Sequence, residues 1–83
     1  MSIEILIIDD NSDIRLILNE LISEAGYKTR LAANYNQALT EIDKKLPDVA
    51  IIDVKLDKGD NDGIELLSHI KKKNKNIPVI IIS

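Results

Sequence analysis

The chain has 83 residues, room for one small domain, and is 45% hydrophobic and 30% charged with three glycines and two prolines, which excludes a low-complexity or disordered segment. Its net charge of −3 argues against direct nucleic-acid binding, and the absence of cysteine excludes disulfides and thiolate metal sites. The longest apolar run, Val79–Ile82, falls far short of the roughly 20 residues a membrane helix needs, and residues 1–8 lack a signal-peptide pattern, so a cytoplasmic protein without membrane contact is expected.

Ile3-Glu4-Ile5-Leu6-Ile7-Ile8 is β-branched and almost wholly apolar, the pattern of a strand covered on both faces. Asp9-Asp10-Asn11-Ser12 follows as a polar, turn-forming run. Ile14, Ile17, Leu18, Leu21, Ile22 and Ala25 then recur at i, i+3, i+4, i+7, i+8 and i+11, an apolar stripe along a helix that Gly26 stops. Residues 27–32 alternate and carry Lys28 and Arg30, which suits an edge strand. Asn34 and Gln37 stand three apart as a capping box. Tyr35, Ala38, Leu39, Ile42 and Leu46 mark a second helix, which Pro47-Asp48 ends.

Val49-Ala50-Ile51-Ile52 is a buried third strand closed by Asp53. After a charged loop over residues 57–61, Asp62 and Glu65 form a second capping box, and Ile64, Leu67 and Ile70 give the stripe of a third helix. Lys71, Lys72, Lys73 and Lys75 fall at its end, where cations complement the helix dipole. His69 reads as a surface or half-buried residue. Ile77-Pro78 opens a fourth strand, Val79–Ile82, and Ser83 ends the chain. The order β-α-β-α-β-α-β implies an α/β fold: a doubly wound parallel sheet with right-handed crossovers and helices on both faces. Nothing after the fourth strand covers its edge, so residues 1–83 are expected to form an incomplete domain, with an edge open to self-association.

Ligands of open parallel sheets bind beyond the carboxyl ends of the strands, where strand order reverses. If the first and third strands are neighbours, Asp9, Asp10 and Asp53 converge there. Two carboxylates about 4 Å apart repel by roughly 4 kcal/mol at an effective dielectric near 20. A hard divalent cation relieves that repulsion. Magnesium suits an all-oxygen set, and the lack of histidine and cysteine at this rim disfavours zinc. With the charge neutralised, one carboxylate can attack phosphorus, and the Ser83 hydroxyl can bond a phosphoryl oxygen. Each aspartate alone reads as an ordinary turn or cap residue. The shared side of all the polar strand exits favours the chemical reading.

Ile5-Leu6-Ile7-Ile8-Asp9-Asp10-Asn11, Pro47-Asp48-Val49-Ala50-Ile51-Ile52-Asp53, Asp62-Gly63-Ile64-Glu65-Leu66-Leu67 and Ile77-Pro78-Val79-Ile80-Ile81-Ile82-Ser83 together resemble, in order and spacing, bacterial response-regulator receiver domains of two-component signalling. The resemblance implies a flavodoxin-like sheet of strand order 2-1-3-4, here without the family's last helix-strand-helix. It further implies Asp53 as phosphoacceptor, Asp10 as a direct magnesium ligand, Asp9 as one acting partly through water, and the Lys55 carbonyl as another. Ser83 would be the switch hydroxyl, and a sensor histidine kinase the donor. A receiver of this kind is a phosphoacceptor and not an enzyme.

There are departures. Position 57 is Asp where the family usually has proline. The interval from Asp53 to Gly63 is two residues longer than is common, which resembles the nitrogen-regulation NtrX-type regulators and suggests a transcriptional regulator as parent. The lysine of the family's fifth strand has no counterpart. Two alternatives remain: a truncated pseudo-receiver or gene remnant without signalling output, and a magnesium phosphatase of the haloacid-dehalogenase type. The latter wants a second aspartate two residues after the nucleophile, where this chain has Lys55 after Asp53 and Asn11 after Asp9.

Overall fold

The computed structural model describes residues 2–53 and 62–82. Strands β1 (Glu4–Ile8), β2 (Lys28–Ala32), β3 (Val49–Asp53) and β4 (Val79–Ile82) alternate with helices α1 (Ser12–Glu24), α2 (Tyr35–Lys44) and α3 (Asp62–Lys73). The strands pair in parallel in the order β2-β1-β3-β4, which places β1 beside β3 at the reversal of strand order. No helix among the described residues is long and apolar enough to cross a membrane.

Strand parity divides the core into two clusters. Leu6, Ile8, Ala50 and Ile52 face α2 and α3, meeting Ala38 and Ile42 of the first and Leu66 and Ile70 of the second. Ile5, Ile7 and Ile51 face the other way, where Leu18 and Ile22 of α1 lie over them. The two helices on one side seal their cluster, whereas α1 buries no residue fully. The stripe expected on α1 is therefore only half used. Leu18 and Ile22 pack, while Ile14, Ile17 and Leu21 stay exposed, Leu21 by 60%. A single helix touches a sheet along one line, so the flanks of its stripe stay in water.

Helix ends follow local chemistry. Gly26 has φ 97°, and with Ala25 closing α1, Gly26 N–H donates to Ser23 O at 3.0 Å and Tyr27 N–H to Ile22 O at 3.3 Å. These are the two bonds of a Schellman motif, which needs a left-handed residue there. Asn34 caps α2 by accepting from Gln37 N–H at 2.8 Å, as the sequence suggests. The return bond reaches one residue further back, from Ala33 N–H to Gln37 Oε1 at 2.8 Å. Lys45 is already extended, so Leu46 packs against the core from outside the helix.

The stripe expected on α3 is corrected. Ile64 is 53% exposed and Leu67 half-buried, while Leu66 and Ile70 are fully buried. Both Ile64 and Leu66 are apolar, so spacing alone could not choose the face that docks beside α2. The Asp62 side chain, and with it the expected capping box, lies outside the described residues, as does the loop over 57–61. His69 is half-buried, with Nε2 3.2 Å from Asp43 Oδ1, and Lys73 Nζ reaches the same oxygen at 3.3 Å, so α3 is tied to α2. Lys71 bends back to the Ile77 carbonyl at 2.5 Å, a role beyond the helix dipole.

Arg30, on edge strand β2, joins three elements. Its Nε lies 2.9 Å from Glu4 Oε1 of β1, an ion pair in which neither atom makes an aligned hydrogen bond among the described residues. Nη1 donates to the Glu41 carboxylate at 3.1 Å and the Glu41 carbonyl at 2.9 Å, and Nη2 donates to Lys45 O at 2.6 Å, closing the end of α2. Burial alone would raise the Glu41 pKa, but the hydrogen bonds and charges of Arg30 and Lys44 outweigh it and hold it below the ordinary value. Such a group stabilises the fold above its unfolded pKa, and the contribution fades as pH falls through the lower folded value. Arg30→Ala should cost about 1–2 kcal/mol at neutral pH, with the gap from the parent narrowing between about pH 5 and pH 3. Urea unfolding at each pH measures it, and a gap that widens on acidification would contradict the assignment.

Candidate metal centre

The site arises from register. β1 and β3 pair in parallel with Ile7 opposite Ile51 and Ile8 opposite Ile52. One further step along both strands sets Asp9 against Asp53. Both share the parity of Ile7 and Ile51, so both carboxylates fall on the α1 face at the carboxyl rim of the sheet. Asp10, at the start of the turn into α1, adds a third. Asp9 is 2% exposed, Asp53 half-buried and Asp10 exposed. One carboxylate oxygen from each lies within 4.8 Å of those of the other two.

The main chain holds Asp9 in place. Its N–H donates to Ala32 O at 3.1 Å, extending the β1–β2 ladder by one bond. Its Oδ1 accepts from Asn11 N–H at 2.9 Å. Asn11 in turn caps α1, its Oδ1 accepting from Asp13 N–H at 2.9 Å and Ile14 N–H at 3.2 Å. The first residues of α1 and the acidic turn are thus one hydrogen-bonded unit, which satisfies donors that a helix start leaves open.

Electrostatics follow. Burial raises the Asp9 pKa; the Asn11 N–H opposes this, and the charges of Asp53 and Asp10 and a hydrogen bond with Asp53 raise it further. A divalent cation among the three would offset that repulsion. Three oxygen donors from three carboxylates fit a hard divalent cation and offer nothing to a soft one.

The structure thus brings together Asp9, Asp10 and Asp53, as the sequence suggests. Lys55 and Ser83 lie outside the described residues. Two roles escaped the sequence reading: that of Asn11, which joins the acidic turn to the helix, and that of Arg15, whose Nη1 donates to the Asp9 carbonyl at 2.7 Å. Arg15 carried a signal. A cation in the first turn of a helix opposes the helix dipole, so it needs a local reason to be there.

The family model described as the response regulator receiver domain matches residues 5–83. The sporulation initiation phosphotransferase F of Bacillus subtilis is 43% identical over the whole of this chain, which spans 65% of that relative. A putative NtrX-like response regulator of Rickettsia bellii is 40% identical over 98% of this chain, which spans 17% of it. Among solved structures, the NtrX crystal structure from Brucella abortus in complex with ADP superposes on the whole chain with a TM-score of 0.90 at 36% identity, this chain covering 19% of it. A chemotaxis response regulator of Vibrio cholerae matches 98% of the chain with a TM-score of 0.88 at 26% identity, and 68% of that protein is covered. The chain therefore spans less than two thirds of the curated relatives it matches.

The crowding of like charge makes a prediction about stability. In chelator, Asp9→Asn should raise the melting temperature, by about 4–8 °C for each kcal/mol of repulsion and burial cost relieved. The amide oxygen can still accept from Asn11 N–H. A lower melting temperature by calorimetry would mean that the carboxylate is held for stability rather than against it.

Proposed function

The chain belongs to the response regulator receiver domain family, and on that premise we propose that it is a phosphoacceptor module in which Asp53 takes a phosphoryl group with the help of magnesium. The single observation that carries this reading is the meeting of Asp9, Asp10 and Asp53 within 4.8 Å at the strand-order reversal. Asp9 and Asp10, with Asp53 itself, are the residues that would hold the ion. When bound, magnesium supplies the positive charge that lets a carboxylate and a phosphoryl group approach each other.

The remaining steps belong to the chain. Asp53 stands at the end of β3, half-buried, with its backbone paired to Ile82. One of its oxygens forms the new bond to phosphorus as the bond to the donor breaks. With a histidine kinase as donor, the imidazole nitrogen leaves with the bonding pair and the product is an aspartyl phosphate. Asp9, held by Asn11 N–H and Ala32 O, keeps the acidic turn in register during the transfer. By resemblance, the Lys55 carbonyl would add a metal ligand, and the Ser83 hydroxyl would contact the phosphoryl group.

The chain on this reading is an acceptor in the cytoplasm, not an enzyme with a substrate to turn over, and its parent regulates transcription. The names of two further relatives support the last point, a transcriptional regulatory protein at 37% identity and a DNA-binding transcriptional regulator at 38%.

Acetyl phosphate with magnesium should add one phosphoryl mass to the protein, and peptide mapping should place it on Asp53. Asp53→Asn should abolish labelling, and chelator should suppress it in the parent. Label on any other residue would overturn the assignment. A chain that shows no cooperative unfolding in a thermal melt followed by circular dichroism would instead favour a remnant of the family.

A further inference from the structure

Arg15 bonds the main chain of the acidic turn. It sits in the first turn of α1, its backbone N–H making the helix bond to Asn11 O at 3.0 Å. Its side chain turns back past the helix start, and Nη1 donates at 2.7 Å to the backbone carbonyl of Asp9, in half-buried surroundings. Three carboxylates stand in the same turn and on the neighbouring strand, yet among the described residues Arg15 forms no ion pair with any of them. The guanidinium is thus aimed at a neutral oxygen, and the helix dipole works against its charge.

We propose that Arg15 is a positioning residue for the cation site: by holding the Asp9 carbonyl, it fixes the direction in which Asp9 and Asp10 present their carboxylates. The proposal rests on the reading of Asp9, Asp10 and Asp53 as a divalent-cation site. Asp9 is 2% exposed, so water cannot readily replace a donor to its backbone. With Ala32 O holding its N–H and Asn11 N–H holding Oδ1, the bond from Arg15 pins the remaining main-chain polar group of that residue. Release of the carbonyl frees the peptide between Asp9 and Asp10 to rotate, and rotation there carries the Asp10 side chain away from Asp53. Magnesium demands near-octahedral oxygen geometry, so a small rotation is costly to binding. Groups that orient metal ligands without touching the metal commonly matter by 10–100-fold in affinity.

Charge and position predict opposite signs. If Arg15 acted only through its charge, its removal would tighten binding of a cation. If it positions the turn, its removal weakens binding. The test is Mn2+ binding by the full chain, followed by electron paramagnetic resonance, for the parent, Arg15→Met and Arg15→Lys, with melting temperatures in chelator as a check on folding. Methionine keeps the apolar stem and loses the donors, so affinity should fall by about tenfold. Lysine can still donate to the same carbonyl and should recover most of that loss. Equal or tighter binding by Arg15→Met would overturn the proposal, as would equal losses in the methionine and lysine variants. Should Arg15→Met not melt cooperatively, Arg15→Gln takes its place under the same criteria. A parent that binds no Mn2+ would remove the cation site itself, a failure distinct from unaltered affinity in the variants, and this proposal with it.

Discussion

Everything at the acidic rim depends on one packing constraint: β1 and β3 are parallel neighbours, and their register sets Ile7 against Ile51. With that pairing fixed, Asp9 and Asp53 have no freedom to avoid each other. A slip of one residue would send either carboxylate to the opposite face of the sheet, so the apolar residues below them enforce the meeting. Ile7 and Ile8 are fully buried, as is Ile52, and at about 1.5–3 kcal/mol each their burial together outweighs the roughly 4 kcal/mol of repulsion between two carboxylates. The core therefore holds the acidic groups in a contact they would not choose.

How the strain is managed is local. The turn from β1 into α1 spends its backbone polar groups on holding the acids in place: Asp9 N–H to Ala32, Asp9 carbonyl from Arg15, Asp9 carboxylate from Asn11. A turn fixed by that many bonds loses little entropy when a ligand arrives, which is the physical meaning of preorganisation. The opposite rim is arranged differently. There Arg30 answers Glu4 and Glu41 with a matching cation, and Asp48 Oδ2 accepts from Glu4 N–H at 2.8 Å. Acids at that rim are met by Arg30, and Asp9, Asp10 and Asp53 lie together at the other.

The faces of the sheet also differ. The side covered by α2 and α3 carries most of the fully buried residues, and the side covered by α1 keeps Ile14, Ile17 and Leu21 in solvent. The acidic rim lies on the α1 side, so the site opens toward the less sealed half of the molecule.

Much of this was legible in the order of residues. Alternating periods of two and 3.6 gave seven elements, Gly26 marked the end of α1, and Asn34 with Gln37 marked the start of α2, because each rests on bonds made within a few residues. The acidic character of the strand ends was equally plain, since Asp9, Asp10 and Asp53 each follow an apolar run. Other features depended on partners distant in sequence. Whether α3 buries Ile64 or Leu66 was settled by how it docks beside α2. The placing of β1 beside β3, the parity that puts Asp9 and Asp53 on one face, and the bond from Arg15 to the Asp9 carbonyl exist only when the chain is folded. Sequence fixes what a residue can offer and how its near neighbours turn. Long-range packing alone decides which residues are brought together, because register is chosen by buried apolar surface across strands and not by the polar groups that use it.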